Sequence, residues 1–141
     1  MGLESTGSNP VFPNIFSYVQ LFNNYKIAAA RNVYFFKIKH TNVILKVLRL
    51  FKELGLVKRF YTTPAKLIYV FPTFFHKKVY KFYFRLYARE TAPILVSYKA
   101  LRILKKTTYL STMLLETDKG ILTHQSALGF KRGGKLIAII N

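Results

Sequence analysis

The 141-residue chain has no cysteine, no tryptophan, seven glycines and five acidic residues: Glu4, Glu53, Glu90, Glu116 and Asp118. Each shortage excludes something. Without cysteine there is no disulfide framework, no thiolate zinc site and no cysteine nucleophile, although the redox compartment stays open. Long hydrophobic runs are missing too. A membrane helix needs roughly 18 consecutive apolar residues, and every apolar run here is soon interrupted by Lys, Arg, Asn or Pro, so no transmembrane helix is expected. The scarcity of carboxylates weighs against hydrolysis, which calls for paired acids, a histidine beside a nucleophile, or a metal cluster. Glu116 and Asp118 would share a face of an extended segment, yet beside Lys119 they read as a solvated pair, since one or two carboxylates seldom hold Mg²⁺ without a substrate phosphate. His40, His76 and His124 have no spacing that places two on one helix face, so they read as surface or phosphate-contacting residues and not as a metal site. Gly133-Gly134 has neither the Walker spacing nor the dinucleotide fingerprint, so no nucleotide is implied. The chain reads as a non-enzyme with no cofactor of its own, any structural Mg²⁺ being one that a bound partner carries.

What is there is positive charge. Twenty-three Lys and Arg give a formal charge of +18, on a chain that is 51% hydrophobic and long enough for one ordinary domain or two small ones. So charged a fold repels itself without an anionic partner, and for a basic domain of this size nucleic acid is the commonest. Phe, Tyr, Ile, Lys and Asn abound, as an AT-rich coding sequence would produce. The stretch Met1 to Pro10 has neither an apolar secretory core nor an Arg-rich import pattern. Together these point to a gene inside an organelle, although an AT-rich nuclear or bacterial genome would serve as well. Met1-Gly2 with Thr6 matches the short N-myristoylation pattern, but the unmodified tail is the reading adopted.

The hydrophobic pattern predicts an α+β protein of two small α/β units. Residues 1–13 are a tail, 14–89 an N-terminal α-β-α-β-β unit, and 94–141 a C-terminal, mostly β unit with a short helical turn. Ile15, Tyr18, Val19 and Phe22 predict a helix over Asn14 to Asn24, started by Pro13. Alternation with aromatic and β-branched residues predicts a strand over Arg31 to Lys39. A second helix is expected from Thr41, its N-cap, to Leu54, with Ile44, Leu45, Val47, Leu48 and Phe51 as the buried stripe and Gly55 as the stop. Strands follow at Leu56 to Tyr61, Lys66 to Phe71 and Val79 to Tyr87, and Glu90 to Pro93 reads as a linker. Leu101 to Leu104, Thr112 to Leu115 and Leu136 to Ile140 are the expected strands of the second unit, with a compact loop and helical turn at Glu116 to Gly134. Tyr83 and Tyr87 between Lys81 and Arg85 could stack on bases, or could equally pack against protein.

The segment Glu116-Thr-Asp-Lys-Gly-Ile-Leu-Thr-His through Gly133-Gly-Lys-Leu-Ile-Ala-Ile-Ile140 resembles the signature of the bacterial-type small-subunit ribosomal protein eight family. That signature runs Ser-Thr-Ser-x-Gly-Ile/Val-Met-Thr-Asp, an Ala-rich turn, Gly-Gly-Glu and a hydrophobic last strand. Thr117, Lys119, Gly120, Ile121, Thr123, Ala127, Gly133 and Gly134 fall on its positions without a gap. Ser17 to Asn24 is similar to the family's first helix, Leu50-Phe-Lys-Glu-Leu-Gly-Leu-Val-Lys-Arg-Phe60 to its Val-Leu-Lys-Glu-Glu-Gly-Phe-Ile motif, and Ser97 to Leu104 to its Ser-Arg-Pro-Gly-Leu-Arg-Ile-Tyr segment. Glu116 and Asp118 depart from the two serines, His124 from an Asp, Leu128 from an Arg and Lys135 from the Glu after the glycines. Lys99-Ala100 departs from Pro-Gly, and the stretch after Lys106 is several residues short.

The resemblance implies a structural constituent of the small ribosomal subunit, bound to the central domain of its rRNA and to neighbouring ribosomal proteins, with no membrane or nucleotide partner. Its divergence suits a mitochondrial, organelle-encoded member. The residues expected at the RNA are Thr117, Lys119, Gly120, Thr123, Lys131 and Arg132, with Thr41 and Asn42 at the second helix. Hydroxyls and backbone would read the minor groove, while the cations anchor phosphates. The alternative is a basic scaffold protein whose aromatic faces bind protein neighbours.

Overall fold

The computed structural model describes residues 15–79, 84–88, 93–104 and 111–141. The expected tail with its Met1-Gly2 and Thr6, the aromatic-basic residues Lys81 and Tyr83, the core of the linker, and the shortened stretch after Lys106 lie outside them. Helices and antiparallel sheets are mixed, an α+β fold, and the chain divides into two compact units with the break between Phe82 and Tyr83.

In the N-terminal unit, helix α1 (Ile15–Arg31) buries Tyr18, Leu21, Phe22, Tyr25 and Ala28. It runs seven residues beyond Asn24, because Tyr25 and Ala28 continue the apolar stripe and Ala28 to Ala30 are strong helix formers. Arg31 to Phe35 are therefore not strand. Asn32 takes the left-handed conformation (φ 55°) in which helices commonly end, and the Val33 N–H closes on Ala28 O at 3.1 Å. Strand β1 (Phe36–Lys39) leads into α2 (Asn42–Glu53). Thr41 caps α2 as expected, its hydroxyl accepting from the Ile44 N–H at 3.1 Å. Gly55 (φ 83°) ends the helix, with Leu56 N–H donating to Phe51 O.

Strands β2 (Val57–Thr62) and β3 (Leu67–Pro72) complete a three-stranded antiparallel sheet in the order β1-β3-β2. One face turns Ile38, Ile68 and Val70 inward. The helices cover that face: Tyr25 lies edge-on to Phe36 and Phe51, and its hydroxyl donates to Leu56 O at 2.7 Å. A hairpin unforeseen in the sequence, β4 (Phe74–Phe75) with β5 (Lys78–Val79), is held by Asn32, whose side-chain oxygen accepts from the Val79 N–H at 2.7 Å.

The C-terminal unit is a five-stranded sheet. Strand β10 (Gly134–Ile140) pairs with β6 (Phe84–Leu86), β7 (Leu95–Val96) and β8 (Thr112–Thr117), and β8 pairs with β9 (Gly120–Thr123). Of the expected strand from Val79 to Tyr87, Val79 belongs to β5 and Phe84 to Leu86 form β6, which pairs with β10 more than fifty residues along the chain; residues 80–83 lie outside the described residues. Leu101 to Leu104 is helix and not strand, part of α3 (Tyr98–Leu104), because Ser97 caps it by accepting from the Ala100 N–H at 3.1 Å and Leu101 packs inward. The expected loop after Glu116 contains a strand of its own, β9, before α4 (His124–Gly129). Val96, Leu101, Met113, Leu115, Ala127 and Leu136 form one buried cluster of this unit, and Leu114, Ile137 and Ala138 are buried as well.

Candidate nucleic-acid interface

The expected RNA-binding loop begins as a two-residue hairpin, Asp118-Lys119, between β8 and β9. The positive φ falls on Gly120 (105°), where the chain re-enters the ladder; open space surrounds that glycine, so its requirement is conformational and not steric. Thr117 ties the turn. Its hydroxyl donates to Gly120 O at 2.8 Å and accepts from the Lys119 N–H at 3.1 Å. The hydroxyl proton is thus committed inside the turn, and what Thr117 retains for a partner is a lone pair.

Thr123 has a similar double role. It caps α4 by accepting from the Ser126 N–H at 3.3 Å, and its hydroxyl lies 3.3 Å from Ser126 Oγ. His124, the next residue, does not face solvent as expected. It is 4% exposed, and its Nδ1 accepts from the Met113 N–H at 3.1 Å, pinning α4 to β8. Burial holds its pKa below the ordinary histidine value, and an Nδ1 lone pair occupied by an N–H keeps the ring neutral.

Helix α4 ends with the Lys131 N–H donating to Leu128 O and the Arg132 N–H to Ala127 O, which places Lys131 in the left-handed position (φ 56°). Glycine is the usual occupant there. A lysine held in that conformation stores ~1 kcal/mol of strain, and both it and Arg132 are exposed.

The two glycines that follow are required by their neighbours. A Cβ on Gly133 would meet Val96 O at 2.3 Å and Ser97 Cα at 2.8 Å; one on Gly134 would meet Glu116 O at 2.5 Å. The pair lets three segments close up: Val96-Ser97, the end of β8, and Lys131-Arg132. Together they wall a groove of about 670 Å³ lined by Thr117, Asp118, Lys131 and Arg132 on one side and Ser97 and Tyr98 on the other. Arg102 lies 5.9 Å over the Tyr98 ring.

The two acids that depart from the family's serines have cations beside them. Glu116 stands directly opposite Lys135 in the β8–β10 register, and Asp118 Oδ1 is 3.8 Å from Arg132 Nε. The Asp118 pair is exposed and worth little in stability, but it offsets negative charge at the groove mouth.

Of the residues singled out from sequence, Thr117, Lys131 and Arg132 line the groove. Lys119 and Gly120 make the adjoining turn, and Thr123 caps α4 behind it. Thr41 and Asn42 belong to the N-terminal unit, where Thr41 is committed as a cap and lies 3.4 Å from Ser17 Oγ, while Asn42 is exposed. Ser97 and Tyr98 were not foreseen; the signal was a capping serine three residues before Ala100, hidden by reading the segment as strand.

Fold and site together define a basic α+β protein of two units, with a groove in the C-terminal unit shaped by backbone turns and edged with cations. The family model of Ribosomal protein S8 matches residues 19–141. The chain belongs to that family, and so to the structural, non-enzymatic proteins of the small ribosomal subunit that serve translation. A comparison with curated proteins finds no match.

Proposed function

We propose that the C-terminal groove docks on a helical site in the central domain of the small-subunit rRNA, and that the chain supports assembly of that domain among neighbouring ribosomal proteins. The observation that carries this reading is the convergence of Thr117, Lys131 and Arg132 with Ser97 on one groove whose floor only glycine permits. A-form RNA offers a wide, shallow minor groove bearing 2′-hydroxyls, which are donors. The Thr117 oxygen, its own proton already given to Gly120, is left as an acceptor suited to them. Lys131 and Arg132 anchor the flanking phosphates, and Lys119 adds a cation at the hairpin tip. Thr123 and Gly120 act by holding the loop's shape. Thr41 and Asn42 give a weaker contact at the start of α2.

The Phe-, Tyr-, Ile-, Lys- and Asn-rich composition supports a mitochondrial ribosome as the setting and an organellar gene as the source. Fractionating mitochondrial ribosomes and following this chain with the small subunit would test that placement. The RNA reading is tested by competing the central-domain hairpin of its own rRNA against a scrambled hairpin across a salt series. A preference of roughly a hundredfold that survives moderate salt is expected for specific readout on top of phosphate attraction. Equal binding, fading together as salt rises, would overturn it.

A further inference from the structure

The N-terminal unit carries a second surface, on the face of its sheet turned away from Ile38, Ile68 and Val70. Strand register sets Lys37, Tyr69 and Tyr61 in one row across β1, β3 and β2, with Phe71 and Arg59 in the next. Phe35, the residue before β1, joins them. The Tyr61 and Tyr69 rings stack at 5.3 Å and 4°, and Phe35 stacks on the same Tyr69 at 5.8 Å and 20°. Tyr69 is thus the middle of a three-ring stack, whose ends are Tyr61, 49% exposed, and Phe35, 45% exposed. Phe71 packs against both end rings, at 5.9 and 5.7 Å. Two cations complete the face, the Arg59 guanidinium 4.4 Å over Phe71 and Lys37 Nζ 5.8 Å over Tyr69.

A continuous aromatic patch on a solvent face marks a binding surface, and its chemistry selects the partner. Glu53, the last residue of α2, is the single acid between residues 16 and 82, so the partner that fits is anionic. An apolar protein neighbour would strip water from Arg59 and Lys37 and return nothing. An acidic peptide would satisfy those cations but offers no flat surface to the ends of the stack. Unpaired nucleotides offer both a planar base and a phosphate.

We propose that this face is a stacking platform for single-stranded RNA, with Tyr61 and Phe35 each taking a base on its outward ring face and Arg59 and Lys37 holding the adjoining phosphates. The proposal stands apart from the groove reading, since a single strand has no minor groove to present to Thr117.

The test is titration of the full chain with a labelled adenosine octamer and with an abasic ribose-phosphate octamer of equal charge. Tyr61→Leu keeps apolar bulk without a ring, Tyr61→Phe keeps the ring, and Phe35→Leu gives an independent reading at the other end of the stack should Tyr61→Leu fail to fold. Wild type should prefer the adenosine octamer. Tyr61→Leu or Phe35→Leu should weaken it about five- to a hundredfold without affecting the abasic strand, while Tyr61→Phe stays near wild type. Equal binding of the two octamers by wild type, or unchanged affinity in both leucine variants, overturns the proposal. So does a Tyr61→Leu chain that loses affinity for an octaglutamate peptide while binding RNA as before, which would make the face a protein-docking surface.

Discussion

The two units build their candidate surfaces by opposite means. In the C-terminal unit the backbone makes the surface: a glycine pair, a left-handed lysine and two threonines whose hydroxyls are engaged in their own turn and cap. In the N-terminal unit the backbone is a plain three-stranded sheet, and the side chains make the surface, through rings stacked across strands. The acids are divided as unevenly. Glu116 and Asp118 stand at the C-terminal groove with Lys135 and Arg132 beside them, whereas the aromatic face has cations and no acid. A surface made by backbone is broken by adding one carbon, and one made by rings only by removing the rings.

The largest expected effect follows from that contrast. Gly133→Ala and Gly134→Val force a Cβ against backbone atoms that cannot swing aside, at 2.3 Å and 2.5 Å. Urea unfolding should show losses of about 3 kcal/mol, the upper end of overpacking costs, and the central-domain hairpin should bind weakly. Gly129→Ala, with nothing within 4 Å of its Cβ, is the control; it should stabilise by up to ~1 kcal/mol. Equal tolerance of all three would refute the view that the groove is held open by close backbone approach.

Next comes the histidine behind the groove. Folding holds the His124 pKa down by burial, so below the unfolded value of about 6.5 the unfolded chain binds the proton and the folded chain resists it. Its contribution is fully present above that pH and is lost as pH falls toward the folded value, by up to ~1.4 kcal/mol per pH unit. His124→Gln, whose amide oxygen can accept from Met113 N–H without titrating, should flatten the acid limb of a melting-temperature profile. An unchanged acid limb would place the titration elsewhere.

How much of this was legible in the sequence depends on how local each feature is. Helix α2 was read almost to the residue, because Thr41, the Ile44–Phe51 stripe and Gly55 are all local signals. Helix α3 was misread because Leu101-Arg-Ile-Leu104 is too short a run for periodicity to decide, and the cap at Ser97 went unused. The pairing of β6 with β10 was not readable, because the two strands are distant in sequence. At the site, Thr117, Lys131 and Arg132 were singled out from one stretch of sequence and line one groove, but only coordinates show that the threonine proton is spent within the turn. The aromatic face was illegible for the same reason as β6: Phe35, Tyr61, Tyr69 and Phe71 come from three segments, and register alone assembles them.

Thr117 tests whether the groove's hydroxyl serves shape or contact. Thr117→Val loses both turn hydrogen bonds and should cost about 1–2 kcal/mol in unfolding, with hairpin affinity falling as well. Thr117→Ser retains the Oγ and should restore both. If Thr117→Val lowered stability alone and left hairpin affinity intact, the hydroxyl would be a fastener of the turn and no more.

The smallest effect is the most discriminating, because stability and binding should move in opposite directions. Lys131 occupies a left-handed position at a cost of ~1 kcal/mol that glycine would not incur. Lys131→Gly should therefore raise the melting temperature slightly. If the lysine is kept there for its charge, the same variant should bind the rRNA hairpin less tightly, and the slope of log affinity against log salt should become shallower by about 0.9, the value for one phosphate contact on duplex DNA. The loss should be uniform between matched and scrambled hairpins, since a phosphate contact carries no sequence information. A stabilised variant with an unaltered salt slope would mean that Lys131 faces no phosphate, leaving Arg132 and Lys119 to anchor the loop.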